Sequence, residues 1–325
     1  MDRPGDGLWT RLANRTTRRP VPAFPRILQI QTFTGCNADC IFCPYGATYD
    51  SQPKGKMPLE LFRRLIDEAA AHPVRRVSPY LMNEPLMDRD LFDKVRYINA
   101  RLPRARVVLT TNGHFLTSQV TEELLDLGAG VHEIHVSLQG IDKEAYERTM
   151  RGTMRFERTM ANVGHFIEAQ RRRGGERPRL WVNMVDTALI DARAAVAYWR
   201  ARGIASKYTT LENRGGNIHD ADRLSRAGAM RPYTTCTRLF KQAYILFNGD
   251  MVLCCVDYAR SQVLGNVARS SIREVWNGPV ATEIRRRYLA REFNRLPLCG
   301  SCTIDEVREV CVEPGGVVTV REATS

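Results

Sequence analysis

The chain has 325 residues, of which 43% are hydrophobic, and a formal net charge of +12 that comes almost entirely from arginine. This length allows one large domain or two modest domains with a sizeable core. No run approaches the eighteen apolar residues of a membrane span, and no basic block with interleaved aromatics predicts specific nucleic-acid binding. The arginine excess fits a solvated surface or an anionic partner. Nine cysteines without an export signal predict metal binding in a reducing cytoplasm rather than disulfides.

Three cysteines follow the first predicted strand. Residues 1–25, rich in proline and arginine, are interpreted as an N-terminal arm, and residues 26–33 alternate polar and apolar as a strand does. Cys36, Cys40 and Cys43 then stand at a CxxxCxxC spacing in a loop. Three thiolates suit an iron–sulfur cluster with one iron left open, or a zinc ion that takes its fourth ligand from elsewhere.

Strand and helix alternate about six times over residues 26–217. Further strands are predicted at residues 75–82, 105–113, 131–138, 179–186 and 206–211, and helices at 88–102, 117–127, 156–173 and 192–202. Two more helices begin at Pro58, with Leu59 on the apolar face, and at Asp142. Thr117 and Asp142 are predicted helix caps. This alternation predicts parallel strands with right-handed crossovers. Six units predict a partial (βα)6 barrel, with its chemistry at the carboxyl ends of the strands.

Polar residues stand at several of these predicted strand ends. Glu84 follows the second strand, Asn112 ends the third, and Ser137 ends the fourth. Glu212 and Arg214 follow the sixth strand, where an arginine suits bidentate binding of a carboxylate or a polar substrate. Each of them is also an ordinary turn residue, so both interpretations stay open.

A second, smaller domain is predicted beyond a polar linker at residues 218–235. Asn248-Gly249 between two apolar alternating runs indicates a β-hairpin. Within residues 236–313, a four-thiolate site for an iron–sulfur cluster or zinc is predicted at Cys236, Cys254, Cys299 and Cys302. We assign Cys254 rather than Cys255 as the ligand because neighbours on a strand face opposite sides. Cys311 is interpreted as a spare thiol and residues 314–325 as a tail.

The cysteine motif, with Phe42 before its last cysteine, resembles that of the radical S-adenosylmethionine (SAM) family. The resemblance implies a [4Fe–4S] cluster whose open iron binds SAM, and reductive cleavage of SAM to a 5′-deoxyadenosyl radical. Asn83-Glu84-Pro85 resembles the Gly-Gly-Glu-Pro segment of the family, which implies that Glu84 binds the SAM amino group, although Met82 and Asn83 replace the glycines. The segments that hold Asn112 and Ser137 resemble the strand ends near the SAM ribose, and Arg151-Gly152 resembles a further family motif.

The C-terminal part resembles the SPASM/twitch extension of radical SAM enzymes, which implies an auxiliary [4Fe–4S] cluster. Six cysteines lie beyond the linker, whereas the full two-cluster form needs about seven cysteines, so the resemblance favours the one-cluster form. A zinc ribbon with the same ligands stays open.

The resemblance implies abstraction of a hydrogen atom from a carbinol carbon of a small polar substrate. A sugar, aminocyclitol or nucleoside is expected, in natural-product or antibiotic biosynthesis, with dehydrogenation as the first outcome and flavodoxin or ferredoxin as electron donor. Epimerisation with Cys255 as hydrogen donor, decarboxylation of a sugar acid and peptide maturation stay open. The alternative role of Cys255 is packing as a small hydrophobe. The alternative to an enzyme is a non-catalytic metal-binding or redox-sensing protein.

Overall fold

The computed structural model describes residues 21–226, 228, 230–305, 309–312 and 318–321, the last two stretches by their backbone only. Most of the predicted N-terminal arm therefore lies outside the described residues, as does the side chain of Cys311. Within the predicted tail, Val318–Arg321 is a strand. No helix in the described ranges is long and apolar enough to cross a membrane.

Six parallel strands form the centre of the fold. They are β1 Ile27–Ile30, β2 Arg76–Ser78, β3 Arg106–Thr111, β4 Glu133–Ser137, β5 Arg179–Asp186 and β6 Ala205–Thr210. The strands that follow are β7 Arg231–Pro232, β8 Gln242–Ile245, β9 Asp250–Val252, β10 Val263–Asn266, β11 Thr303–Ile304, β12 Glu309–Val312 and β13 Val318–Arg321. The predicted partial (βα)6 barrel, followed by a small hairpin-and-helix domain, is confirmed.

Helices connect the strands. In chain order they are α1 Tyr45–Thr48, α2 Leu59–Ala70, α3 Leu91–Arg101, α4 Ser118–Leu127, α5 Lys143–Met150, α6 Phe156–Arg173, α7 Ala192–Arg200, α8 Ala221–Leu224, α9 Ile272–Trp276, α10 Pro279–Leu289 and α11 Pro297–Gly300. Single 3₁₀ turns lie at Pro85–Met87, Gly128–Gly130, Arg238–Phe240 and Phe293–Arg295. Thr117 and Asp142 cap α4 and α5, as the sequence predicts, by accepting hydrogen bonds from Val120 N and Ala145 N.

The hairpin of the second domain extends the barrel sheet. In the described part of the chain, eleven strands share one sheet in the order β10-β9-β8-β1-β2-β3-β4-β5-β6-β12-β13. Strand β8 runs parallel to β1, with Ile27 opposite Gln242 and Ile30 opposite Ile245. The domain that carries the second set of cysteines is therefore joined to β1, the strand that precedes the first set.

The main core lies between the sheet and the helices, and α2 shows how the sequence builds it. Its buried face contains Leu61, Phe62, Leu65, Ile66 and Ala69. Leu59, predicted on this face, is 42% exposed, because it is the first residue of the helix and lies beyond the packed turns.

Strand β2 is shorter than the sequence predicts and ends at Ser78. Pro79 follows and has no backbone N–H to donate to a neighbouring strand. Met82 has a left-handed backbone, with φ at 53°. The segment from Pro79 to Glu84 therefore bends away from the sheet, which brings Glu84 back over the strand ends.

Candidate active site

The cysteine loop lies at the carboxyl end of β1 and is held by the last residues of α5. Asp39 N donates to Met150 O at 3.2 Å, and Ile41 N donates to Thr149 O at 3.0 Å. Because these contacts join parts of the chain more than a hundred residues apart, the loop conformation is set by the barrel and not by the motif alone.

Arg151 and Gly152, which the sequence analysis compared with a family motif, lie directly after α5. Gly152 has a left-handed backbone with φ at 65°, and a Cβ there would lie 2.5 Å from Asn37 O, so only glycine allows this approach. Arg151 Nε donates to Asp39 O at 2.9 Å. The pair therefore supports the backbone between Cys36 and Cys40.

The three thiols share one electrostatic environment. Burial raises the pKa of Cys36 to about 12, and the charges of Glu84 and Cys43 contribute to this rise. Burial, followed by the charges of Cys43 and Cys36, raises the pKa of Cys40. A cationic centre among the thiols would offset this penalty by stabilising the thiolates.

The loop thiols fit a thiolate-bound cluster by donor type and by their shared loop. Among the described residues, no group of three or more His, Cys, Asp or Glu side chains is arranged as a metal site. The thiols of Cys36, Cys40 and Cys43 would therefore turn toward a common point when a cluster binds, which their placement on a loop permits.

Glu84 is buried where the ends of β2 and β3 meet the cysteine loop. Its Oε1 accepts hydrogen bonds from Thr111 Oγ1 at 2.5 Å and Leu86 N at 3.1 Å, and its Oε2 accepts one from Asn112 N at 2.7 Å. Burial raises its pKa to about 7 although these hydrogen bonds oppose the shift. Its backbone N–H donates to Gly35 O at 2.9 Å, which fixes the carboxylate beside the loop.

The other predicted cofactor-binding residues lie around the same edge. Asn112 Nδ2 donates to Asn37 Oδ1 at 2.8 Å and so connects the end of β3 with the cysteine loop. Ser137 ends β4 opposite Asn183 of β5. Phe42 is 6% exposed and packs into the main core, where it anchors the loop. Their roles toward SAM stay predictions.

The second set of cysteines gathers around Cys236. Burial raises the pKa of Cys299 to about 12 and that of Cys302 further, and the charge of Cys236 adds to both shifts. Cys236, Cys254 and Cys299 border a small apolar cluster, and Cys236 also borders the cluster that contains Cys302. Four thiols in one enclosed environment fit a four-thiolate site by donor set.

The argument that separated Cys254 from Cys255 is wrong. Strand β9 ends at Val252, so both cysteines lie in the following turn and not on a strand. The Cys254 thiol donates a hydrogen bond to Cys255, which lowers the pKa of Cys255. Cys255 also packs beside Tyr244 and Leu81. The choice of Cys254 as ligand therefore stays a prediction without its original support.

Glu212 lies in a buried ion-pair network. Its carboxylate accepts hydrogen bonds from Arg238 at 2.7 and 3.2 Å and lies 3.5 Å from Arg214 Nη1. Burial opposes ionisation, but the charges of Arg238 and Arg214 hold the pKa of Glu212 below its usual value. Arg214 also interacts electrostatically with Tyr258 and Cys43. Arg214 thus lies within electrostatic range of the cysteine loop, and Glu212 is paired with both arginines.

Two residues near the cysteines are not predicted by the sequence analysis. The Cys43 thiol donates to the Tyr258 hydroxyl oxygen at 3.4 Å, across 215 positions of sequence. Arg238 Nη1 lies 4.0 Å from Cys254 Sγ. Only the position of Arg238 two residues after Cys236 offers a sequence signal, whereas the Tyr258 contact depends on how the hairpin packs on the barrel.

Two family models match the chain. Residues 30–185 match the Radical SAM superfamily, and residues 236–303 match SPASM, an iron–sulfur cluster-binding domain. The radical SAM domain implies SAM and a [4Fe–4S] cluster, and the SPASM domain implies auxiliary iron–sulfur clusters.

Two curated proteins are similar to this chain over matches of different length. An AdoMet-dependent heme synthase of Methanosarcina barkeri (strain Fusaro / DSM 804) is 37% identical over 144 residues, which are 43% of this chain and 38% of that protein. The match thus spans about two fifths of that relative's length. An S-adenosyl-L-methionine-dependent 2-deoxy-scyllo-inosamine dehydrogenase of Niallia circulans is 21% identical over 85% of this chain and 92% of its own length.

Solved structures share the fold. BtrN in complex with AdoMet and 2-DOIA has a TM-score of 0.56 at 20% identity and covers 85% of this chain and 92% of its own. Streptococcus suis SuiB bound to the precursor peptide SuiA has a TM-score of 0.64 at 17% identity, with 88% and 72% covered. Motif, fold and family models agree that the chain combines a radical SAM domain with a C-terminal SPASM domain.

Proposed function

We propose that this radical SAM enzyme dehydrogenates a carbinol carbon of a small polar substrate, such as a sugar, an aminocyclitol or a nucleoside. The observation that carries the proposal is the placement of the second thiol set against the barrel. Cys302 Sγ lies 3.7 Å from Glu212 Oε1, directly after β6. The similarity to an aminocyclitol dehydrogenase over most of both chains supports the same reaction.

Oxidation of a carbinol to a carbonyl removes two electrons and two protons. Cys36, Cys40 and Cys43 would hold the first cluster, which with SAM would supply abstraction of one hydrogen atom from the carbon. One electron and one proton then remain to be released from the substrate. Cys236, Cys254, Cys299 and Cys302 would hold a second cluster, which would supply a one-electron acceptor, and this is why two thiol sets suit dehydrogenation.

The residues at the strand ends position the reactants. Glu84 lies beside the cysteine loop with its carboxylate fixed by three donors, which suits binding of the SAM ammonium group. Arg214 is 32% exposed and reaches the neighbourhood of Cys43, which suits a contact with a polar group of the substrate. Glu212 would act through Arg214 and Arg238 as a positioning residue.

The proposed reaction also needs a reductant for the first cluster. A one-electron donor such as flavodoxin or ferredoxin fits this requirement in a reducing cytoplasm, where thiolate-bound clusters persist. The basic surface of the chain, with its net charge of +12, suits an acidic donor protein.

Anaerobic incubation of the reconstituted full chain with SAM, dithionite and a panel of sugars, aminocyclitols and nucleosides tests the proposal. We expect 5′-deoxyadenosine and a product lighter than its substrate by two hydrogen atoms. A product of unchanged mass would indicate epimerisation, and loss of a carboxyl group would indicate decarboxylation. Zinc in place of iron, with no 5′-deoxyadenosine, would favour the non-catalytic alternative.

A further inference from the structure

A cavity lies between the cysteine loop and the hairpin domain. The space between its lining residues is about 330 Å³ when the open solvent at its mouth is included. The loop after Cys43 contributes Tyr45 and Lys54, the ends of β1 and β2 contribute Gln31 and Met82, and the turn before β10 contributes Tyr258 and Arg260. Because the Tyr258 hydroxyl accepts a hydrogen bond from the Cys43 thiol, the cavity borders the first cysteine set. The space in it that water-sized groups can occupy is about 30 Å³, which suits one small polar group of a ligand rather than a whole sugar ring.

Two hydrogen-bonding groups that line this cavity are buried without a partner. These are the Tyr45 hydroxyl and the Nη1 atom of Arg260. A buried donor without a partner destabilises the folded state, so a ligand that accepts from both would recover this free energy.

Arg260 is held in position although its backbone is strained. Its φ is 52°, which is uncommon for a residue other than glycine. Its Nη2 donates to Pro53 O at 3.4 Å, so the guanidinium group reaches across the cavity to the loop that carries Tyr45. Strain of this kind often persists at binding sites because the surrounding structure fixes it.

The charge around the cavity is positive. None of the described residues that line it is acidic. Lys54 lies 3.2 Å from Asp50, whose side chain is 97% exposed, so this pair neutralises little of its charge. Burial lowers the pKa of Arg260, and the charges of Asp250 and Asp257 only partly oppose this effect. Both of those carboxylates accept hydrogen bonds from other groups nearby, Asp250 from Asn266 and Asp257 from Ser261.

We propose that this cavity binds an oxyanion group of the substrate, a carboxylate or a phosphate, with Arg260 and Tyr45 as hydrogen-bond donors and Lys54 as a further positive charge. The inference rests on the proposed function, since it places an acidic group on the small polar substrate. Arg260 and Tyr45 thereby become specificity-determining residues. The SAM carboxylate is the other possible source of an oxyanion, but Glu84, the predicted contact of the SAM amino group, does not line this cavity.

Calorimetric titration of the anaerobically reconstituted full chain tests the site without turnover. The probes are inorganic phosphate and glucuronate, with glucose as the neutral partner, at constant ionic strength. The variants are Arg260→Gln and Tyr45→Phe, and the control is Arg269→Gln, which removes an exposed arginine of the same domain. SAM affinity, iron content and circular dichroism are measured for each protein.

We expect phosphate and glucuronate to bind the unmodified chain more tightly than glucose. Arg260→Gln should abolish this preference, and Tyr45→Phe should weaken it about tenfold, because a hydrogen bond to a charged group is lost. Arg269→Gln and every SAM affinity should stay unchanged.

Equal anion affinity in the unmodified chain and in folded Arg260→Gln would overturn the inference. A fall in SAM affinity in that variant would also overturn it, since the oxyanion would then belong to SAM. Because these are binding measurements, they stand apart from the product analysis. Failure to find a dehydrogenated product would contradict the proposed function and leave the anion site intact.

Discussion

Glu212 and Arg238 form a buried two-point ion pair that joins the barrel to the second cysteine domain. Arg238 Nη1 donates to Oε1 at 2.7 Å and Nη2 donates to Oε2 at 3.2 Å. Glu212 follows β6, whereas Arg238 lies two residues after Cys236. Parallel N–H···O bonds of this kind fix orientation as well as distance. The pair therefore sets how the second thiol set lies against the strand ends.

Glu212→Gln should destabilise the protein strongly. Without the carboxylate, Arg238 loses its largely buried counter-charge, and breaking a buried pair in this way costs about 3–5 kcal/mol. Denaturant unfolding of the chain without clusters measures the change. Glu283→Gln, which removes an exposed partner of Arg286 and Arg287, is the control and should change little. Equal stability of the two variants would show that the buried pair contributes no more than a surface pair.

Asp88 should make the stability of the barrel depend on pH. Its carboxylate is buried, pairs with Lys94 and accepts a hydrogen bond from Thr32 Oγ1 at 2.6 Å. Burial opposes ionisation, but Lys94 and Thr32 hold the pKa of Asp88 below its usual value of 3.8. A lowered pKa stabilises the fold at pH values above the unfolded pKa, and this contribution is lost as the pH falls through the folded pKa.

The free energy of unfolding should therefore fall below about pH 4 in the unmodified chain. Asp88→Asn should be less stable at neutral pH, because Lys94 then stays buried without a counter-charge, and its stability should fall less steeply in acid. The exposed Asp93→Asn serves as control. Parallel acid profiles for the unmodified chain and Asp88→Asn would contradict the assignment.

The two thiol sets should be separable by iron content and by product. Alanine at Cys36, Cys40 and Cys43 should remove about four irons per chain and abolish formation of 5′-deoxyadenosine. Alanine at Cys299 and Cys302 should also remove about four irons but leave SAM cleavage measurable, since the first set is intact. Retained SAM cleavage in the triple variant, or unchanged iron in the double variant, would contradict these assignments.

Glu84→Gln should weaken SAM binding. The change keeps the size of the side chain but removes the charge that would face the SAM ammonium group, which corresponds to roughly 1.5–3 kcal/mol. Equilibrium binding of SAM to the reconstituted chain measures the loss. Thr111→Val, which removes one donor to the same carboxylate, is a matched control and should have a smaller effect. Unchanged SAM affinity in Glu84→Gln would remove Glu84 from the SAM site.

The sequence predicts those parts of the site that depend on local pattern. Cys36, Cys40 and Cys43 lie in a loop after a strand because alternation and spacing are local properties, and Glu84 and Asn112 meet because parallel strand ends share one edge. The pairing of β8 with β1 and the contact of Tyr258 with Cys43 depend on packing between distant segments. The directions of the Cys254 and Cys255 thiols are predicted from a local pattern that does not hold there. Neighbouring side chains alternate between two faces only within a strand, and the exact end of a strand is not set by local pattern.

Cys255→Ala separates the proposed dehydrogenation from epimerisation. Cys255 packs beside Tyr244 and Leu81, away from the apolar cluster that Cys254 borders. If the enzyme is a dehydrogenase, the thiol takes no part in the chemical step, so product mass and iron content should match those of the unmodified chain. Cys254→Ala, its matched control, should lose about four irons. If the enzyme is an epimerase, Cys255→Ala should still form 5′-deoxyadenosine but yield no epimer, because no hydrogen atom reaches the substrate radical. Loss of iron in Cys255→Ala with full iron in Cys254→Ala would instead make Cys255 the ligand, an outcome that the shared turn permits.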